Sequence, residues 1–206
     1  MRKILFTLLT LCAMTASAQK FIDDNGVLWS SSPLLSPKAV DVDYRGLKYE
    51  FDSLDVYLKI AYNGALDIDI SNGRSSEVYI IWDETNMNSS PIVFTDMMTY
   101  QIGSSIKPTV IDSHGYLSKQ ITSETYARNA IPIVNNFMKD QAKKNKYTTI
   151  ILNLSLAVRQ GDKTSRYKIY MEGLWDGKKV KNYKELNKKQ DFSELEQKYE
   201  KLKNGK

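Results

Sequence analysis

The chain is poor in the side chains that most enzyme chemistry needs. Cys12 is its one cysteine and His114 its one histidine. Because Cys12 lies within the first nineteen residues, nothing after it can form a disulfide, a thiolate metal site or a cysteine nucleophile. A lone histidine excludes a multi-histidine metal site. No glycine-rich loop of the phosphate-cradling kind is present, and neither is an internal repeat. The apolar run from Ile4 to Met14 is too short to span a bilayer.

That run has a different meaning in context. Arg2 and Lys3 precede it, and the small residues Ala16-Ser17-Ala18 follow it. Residues 1–18 therefore read as a secretory signal peptide, cut after Ala18 to leave Gln19 first. Cys12 is a poor lipid-bearing cysteine, since bulky Leu11 stands where a lipoprotein peptidase needs a small residue. The expected location is periplasmic or extracellular, without a lipid anchor. Export disfavours nucleic acid as a partner. Removing eighteen of 206 residues leaves 188, enough for one domain with a tail.

Charge is unevenly spread. The formal net charge is +5, and loss of Arg2 and Lys3 with the leader makes it +3. From Lys178 to Lys206 there are ten lysines against five acids, an excess of +5, so the body before it carries about −2. Such a tail suits an acidic surface, whether a phospholipid leaflet, an acidic polysaccharide or an envelope protein; it equally suits a helix that lysines keep soluble.

The periodicity predicts a mostly β chain. Residues 19–43 read as an extended lead-in with a turn at Asp23-Asp24-Asn25-Gly26. In LDVYLKIAY, Leu54, Val56, Leu58 and Ile60 alternate with polar neighbours, and after Asn63-Gly64 the alternation resumes with Leu66, Ile68 and Ile70. EVYIIW, PIVF, MMTYQIG and PTVI supply further short strands. A long hairpin follows, with Ile150, Leu152, Leu154, Leu156 and Val158 on one face, a turn at Gln160-Gly161-Asp162-Lys163, and Tyr167, Ile169 and Met171 facing back. Between these, residues 123–145 read as helix, with Ser123 capping a short turn and Val134, Phe137 and Met138 at helical spacing. A final amphipathic helix is expected from Asp191, capped by that residue and answered by Glu194, with Phe192, Leu195, Tyr199 and Leu202 as its apolar stripe. The resulting layout is a β-sandwich over 44–177 and a basic helical tail over 178–206, with the sandwich folding independently of the tail.

Three constellations invite a chemical reading. Asp112-Ser113-His114 contains the residue types of a hydrolase, but adjacent loop residues do not assemble a triad. Asp67, Asp69 and Ser71 resemble the start of a calcium loop; the glycine comes one position late, and Val78 stands where the late bidentate acid belongs. Asp83 and Glu84 follow Trp82 as a carboxylate pair beside an aromatic would in a carbohydrate-processing site, although neighbouring strand-end residues point apart. Burial of Trp82 and Trp175 discriminates here, because a stacking platform must reach solvent.

The segment SNGRSSEVYIIWDE, with Asn72 in its polar turn and Ile80-Ile81-Trp82-Asp83 at its end, resembles uncharacterised exported β-sandwich proteins of Gram-negative gut-type bacteria. The resemblance covers residues 54–111, and the helix at 123–145 and the lysine-rich tail depart from it. It implies an immunoglobulin-like antiparallel sandwich without a known activity. The expectation is a non-enzymatic binding or scaffold protein of the cell envelope that needs no cofactor or metal. Its candidate binding residues are Trp82, Asp83, Glu84, Lys178, Lys179 and Lys181. The alternatives are a carbohydrate-binding or carbohydrate-processing domain and a periplasmic immunity or inhibitor protein.

Overall fold

Two hairpins supply the frame. Strand β5 (Leu54–Ile60) pairs with β6 (Leu66–Asn72) from Leu54 opposite Asn72 to Ile60 opposite Leu66. The alternation predicts which face is inward, and Leu54, Val56, Leu58, Ile60, Leu66, Ile68 and Ile70 are all buried. Strands β12 (Thr148–Gln160) and β13 (Lys163–Trp175) pair without interruption from Thr148 opposite Trp175 to Gln160 opposite Lys163. Only Gly161 and Asp162 lie between them, and Gly161 takes the positive φ of 56° that so tight a turn requires. Ile150, Leu152, Leu154, Leu156 and Val158 face the same apolar interior as the β5–β6 residues. The computed structural model describes residues 19–31, 39–41, 46–61, 63–95 and 104–205. The leader expected at 1–18 and the strand expected at MMTYQIG lie outside the described residues.

The other strands complete one antiparallel sheet. They are β1 (Lys20–Ile22), β2 (Leu28–Ser31), β3 (Ala39–Asp41), β4 (Leu47–Phe51), β7 (Val78–Ile80), β8 (Asn86–Met87), β9 (Ser90–Phe94), β10 (Thr109–Ile111) and β11 (Tyr116–Ser123). The path runs β1-β2-β13-β12-β8-β9-β11-β6-β5-β4-β3, with β7 on β12 and β10 on β7. Strand β9 joins the two halves, since Pro91 and Ser90 pair with β8 while Ile92 to Phe94 pair with β11. The sheet is nearly closed around its core. This pairing does not establish the expected immunoglobulin-like sandwich, because β9 bonds to both halves and leaves one continuous sheet.

In the stretch read as a lead-in, the described residues 19–31 and 39–41 carry strands. The turn at Asp23 to Gly26 closes a hairpin of β1 on β2, and β2 pairs with β13 from Met171 opposite Ser31 to Leu174 opposite Leu28. Phe21, Val27 and Trp29 are fully buried. The Asp23 carboxylate accepts hydrogen bonds from the Asn25 and Val27 amides and from Trp29 Nε1 at 2.9–3.0 Å. Burial pushes its carboxyl above the usual Asp range, opposed by those three donors. Gly173 lies opposite Trp29, where a Cβ would fall 2.6 Å from Val27 Cγ1.

Residues 123–145 hold two helices rather than one. Ser123 Oγ accepts the Tyr126 amide at 3.2 Å and starts α1 (Glu124–Arg128). Asn135 Oδ1 accepts the Met138 amide at 3.1 Å and starts α2 (Asn136–Asn145). Pro132, which a helix interior would not accommodate, sits in the connection between them.

The tail is built into the body. It forms α3 (Tyr183–Lys189), which periodicity did not reveal, and α4 (Ser193–Asn204). Asp191 does not cap α4 with Glu194 as expected; its Oδ1 accepts the Ser193 hydroxyl at 2.7 Å, and Phe192 occupies the cap position. Packing decides this start, because Phe192 is buried with Tyr199, Ile22 and Leu28 in a second apolar cluster. Leu195 and Leu202 pack against the same cluster. The Asn187 side chain accepts the Ile22 amide at 2.7 Å and donates to the Ile22 carbonyl at 2.8 Å, as a paired strand would. The tail thus covers β1 and β2, and removing 178–206 would expose Ile22 and Leu28.

Two stability measurements follow. Leu154→Ala should lower the urea-unfolding free energy by about 2–5 kcal/mol, as for other buried leucines. Asn187→Ala should cost about 1–3 kcal/mol by leaving both Ile22 backbone groups unpaired, and hydrogen exchange should quicken at the Ile22 amide.

Candidate functional site

Trp82, Asp83 and Glu84 form a single 3₁₀ turn that interrupts the edge lying along β12. On either side, Ile80 pairs with Val158 and Met87 with Leu154. Across the gap, the Ala157 amide donates to Thr85 Oγ1 at 3.1 Å and the Ile81 amide to the Ala157 carbonyl at 2.9 Å. The excursion delivers the Trp82 indole into the core, fully buried, edge-on to Phe94 at 5.0 Å, with Nε1 donating to Thr109 Oγ1 at 2.8 Å.

The two acids serve different segments. Asp83 accepts the Ile106 amide at 2.6 Å and the Ser105 hydroxyl, while Glu84 pairs with Arg166. They do not face one bond across a cleft. Trp175 is also buried, with Nε1 shared between the Asn25 and Lys178 carbonyls at 3.1 and 3.2 Å. Neither Trp82 nor Trp175 offers the exposed ring that a sugar platform requires.

The other polar motifs are likewise occupied. His114 takes a φ of 56° in the β10–β11 turn, where Ser113 Oγ donates to the Arg74 carbonyl at 3.1 Å. Asp67, on β6, pairs with Lys59 at 3.0 Å and accepts Gln120 Nε2 at 2.7 Å. That pair lies in a cavity of about 470 Å³ between the β5–β6 end, β1 and α3. Tyr183 and Asp24 hydrogen-bond to each other in the same cavity, so part of its polar lining is already satisfied internally.

A groove of about 580 Å³ beside α2 has a different character. Helix α1, the α1–α2 connection and α2 form one wall, through Tyr126, Ile131, Phe137 and Lys139; the end of β13 and the chain leaving it form the other, through Trp175 and Lys179. Phe137 is 70% exposed and Ile131 39%. Large apolar side chains this open on a concave surface are the usual material of a binding site.

The connection carrying Ile131 is held rigidly from beneath. Ile133 and Val134 are buried in the main core, and the Ile133 amide donates to the Gly64 carbonyl at 2.8 Å. Gly64, at φ 77°, lets Pro132 approach so closely that a Cβ on it would lie 2.2 Å from the proline Cβ. Opposite, Gly177 passes close to Ala142 and the Lys139 carbonyl. The groove is thus positioned by the sheet, with Phe137 and Ile131 left outward.

Its rim is cationic. Residues 135–147 carry four lysines against Asp140, and residues 178–181 carry three lysines and no acid. Asp140 pairs with Lys143 at 3.3 Å, and nearby Asp176 with Lys198 at 2.6 Å. Among the described residues neither Lys139 nor Lys179 has a carboxylate partner. The arrangement can hold an apolar group beside a negative charge. Of the candidate residues read from sequence, only Lys179 lines this groove; Lys178 and Lys181 are exposed beside it. Phe137 stood out in the sequence only for its helical spacing with Val134 and Met138, and no pattern marked Ile131.

Gly64→Ala should push Pro132 away and weaken the Ile133 hydrogen bond, at a cost above about 1 kcal/mol. Amide shifts at Ile131 and Ile133 in a heteronuclear spectrum would report the displacement, and unchanged shifts there would contradict this anchoring. No protein-family model matches the chain, and no curated protein matches it.

Proposed function

We propose that the chain is a non-enzymatic binding protein exported to the bacterial cell envelope, and that it holds its partner in the groove beside α2. The observation that carries this reading is that an exposed phenylalanine and isoleucine share one rigid concavity with Lys139 and Lys179, which have no carboxylate partner among the described residues. The segment at 1–18 supports the compartment, as does the resemblance of Ile80-Ile81-Trp82-Asp83 to exported β-sandwich proteins. Asp83 and Glu84 are engaged with Ser105, Ile106 and Arg166, which favours binding over carbohydrate processing at that turn. Trp82 has a packing role in this reading, while Lys178, Lys179 and Lys181 contribute charge.

A photoreactive amino acid placed at Phe137, in the full chain expressed in a Gram-negative cell, tests both parts. The expected result is a crosslinked adduct on a protein whose mass begins at Gln19. The same probe at Tyr116, which is 62% exposed on β11, should give none. Adducts no more abundant at 137 than at 116 would remove the groove, and a mass retaining residues 1–18 would remove the export.

A further inference from the structure

We infer that the partner of this groove is an anionic phospholipid surface, which Phe137 and Ile131 enter while the surrounding lysines meet the phosphates. The inference rests on the binding reading above and names its ligand. Charge complementarity comes first. The two segments that flank the groove, 135–147 and 175–181, carry seven lysines and two acids, and both acids are already paired, Asp140 with Lys143 and Asp176 with Lys198. Lysines near a membrane surface each add attraction to anionic headgroups, whereas an apolar side chain at the centre of such a ring has somewhere to go only if the surface has an apolar interior. Phe137, at 70% exposure, is the most open large apolar side chain among the described residues, and it lies in the same groove as Ile131, Lys139 and Lys179.

The backbone of the groove argues against an extended peptide. A peptide that adds to a protein edge needs free amides and carbonyls in register. Here the Ala130 amide donates to Ala127, the Ile131 amide to Tyr126 and the Ile133 amide to Gly64. The Pro132 carbonyl accepts Asn135 Nδ2 at 3.3 Å, and Pro132 has no amide to offer. What the groove presents is side-chain surface, apolar in the middle and cationic at the rim, and a lipid headgroup with its upper acyl chain has that chemistry in reverse order. An acidic polysaccharide would use the lysines and leave Ile131 and Phe137 in water.

The test is sedimentation of the protein beginning at Gln19 with phosphatidylcholine vesicles, with and without phosphatidylglycerol. Binding is expected only when phosphatidylglycerol is present, and it should weaken as salt shortens the screening length. Lys139→Glu with Lys179→Glu should reduce it by more than about tenfold, given roughly fivefold for each lysine lost at such a surface. Phe137→Ser should reduce it about tenfold at unchanged circular dichroism, because a side chain this exposed does not hold the fold. Tyr116→Ser, an exposed aromatic elsewhere, should leave it unaltered. Equal binding to both vesicles, or full binding by Phe137→Ser, would overturn the inference. The adduct formed at position 137 in cells separates the two levels. A lipid adduct supports both, a protein or polysaccharide adduct keeps the groove and removes the membrane, and no adduct removes both.

Discussion

Thirteen consecutive residue pairs between β12 and β13 are the constraint on which the rest of the fold depends. The free edge of β12 receives β7 and β8, and the free edge of β13 receives β2. Because side chains alternate with a period of two, a slip of one residue here would turn Leu152, Leu154 and Leu156 into solvent together. The turn at Gly161-Asp162 has no slack for such a slip. From this ladder the chain closes round one interior, with β9 bonded to both halves.

Where the ladder breaks, side chains stand in for backbone. Thr85 Oγ1 accepts from Ala157 where the edge leaves β12, and Asn88 continues the pairing by accepting the Asn153 amide at 2.8 Å. Asn187 serves both backbone groups of Ile22. Asn72 donates to the Ser76, Ile111 and Asp112 carbonyls at 2.8–3.2 Å, tying β6 to the β10–β11 turn. Thr85, Asn187 and Asn72 are among the few polar residues buried in the described part of the chain, and each satisfies a main-chain group that would otherwise be stranded. The Tyr49 hydroxyl is different. It is buried with no hydrogen-bond partner among the described residues, and burial drives its pKa upward.

The groove beside α2 draws on this frame without being part of it. Ile133 and Val134 lock one wall into the core, and the Trp175 hydrogen bonds lock the other. Between these fixed points the sequence leaves Phe137 and Ile131 outward, against the trend that places comparable residues inside. The proposed partner, which brings both an apolar group and negative charge, matches Phe137 and Ile131 beside Lys139 and Lys179 in this concavity. The tail contributes Lys179 to this surface while its helices cover β1 and β2, so the basic C-terminal region is at once a structural element and a source of charge.

Period and turn chemistry determined the strongest elements by themselves: β5, β6, β12 and β13 with their inward faces, the Ser123 cap, and the apolar stripe of α4. Each rests on neighbours close in sequence, where alternation or a capping side chain is visible without knowing the fold. Strand β11 was not legible, because its paired edges on β6 and β9 stabilise a polar sequence, YLSKQITS, that sends only the partly buried Leu117 to the core over its first half. The place of the β1–β2 hairpin was hidden for a similar reason, since the pairing of β2 with β13 joins residues more than a hundred positions apart. Tertiary structure alone decided that Trp82 is core rather than platform and that Lys179 and Phe137 line one groove. Burial and proximity are properties of closure, and closure follows from long-range pairing that no local pattern encodes.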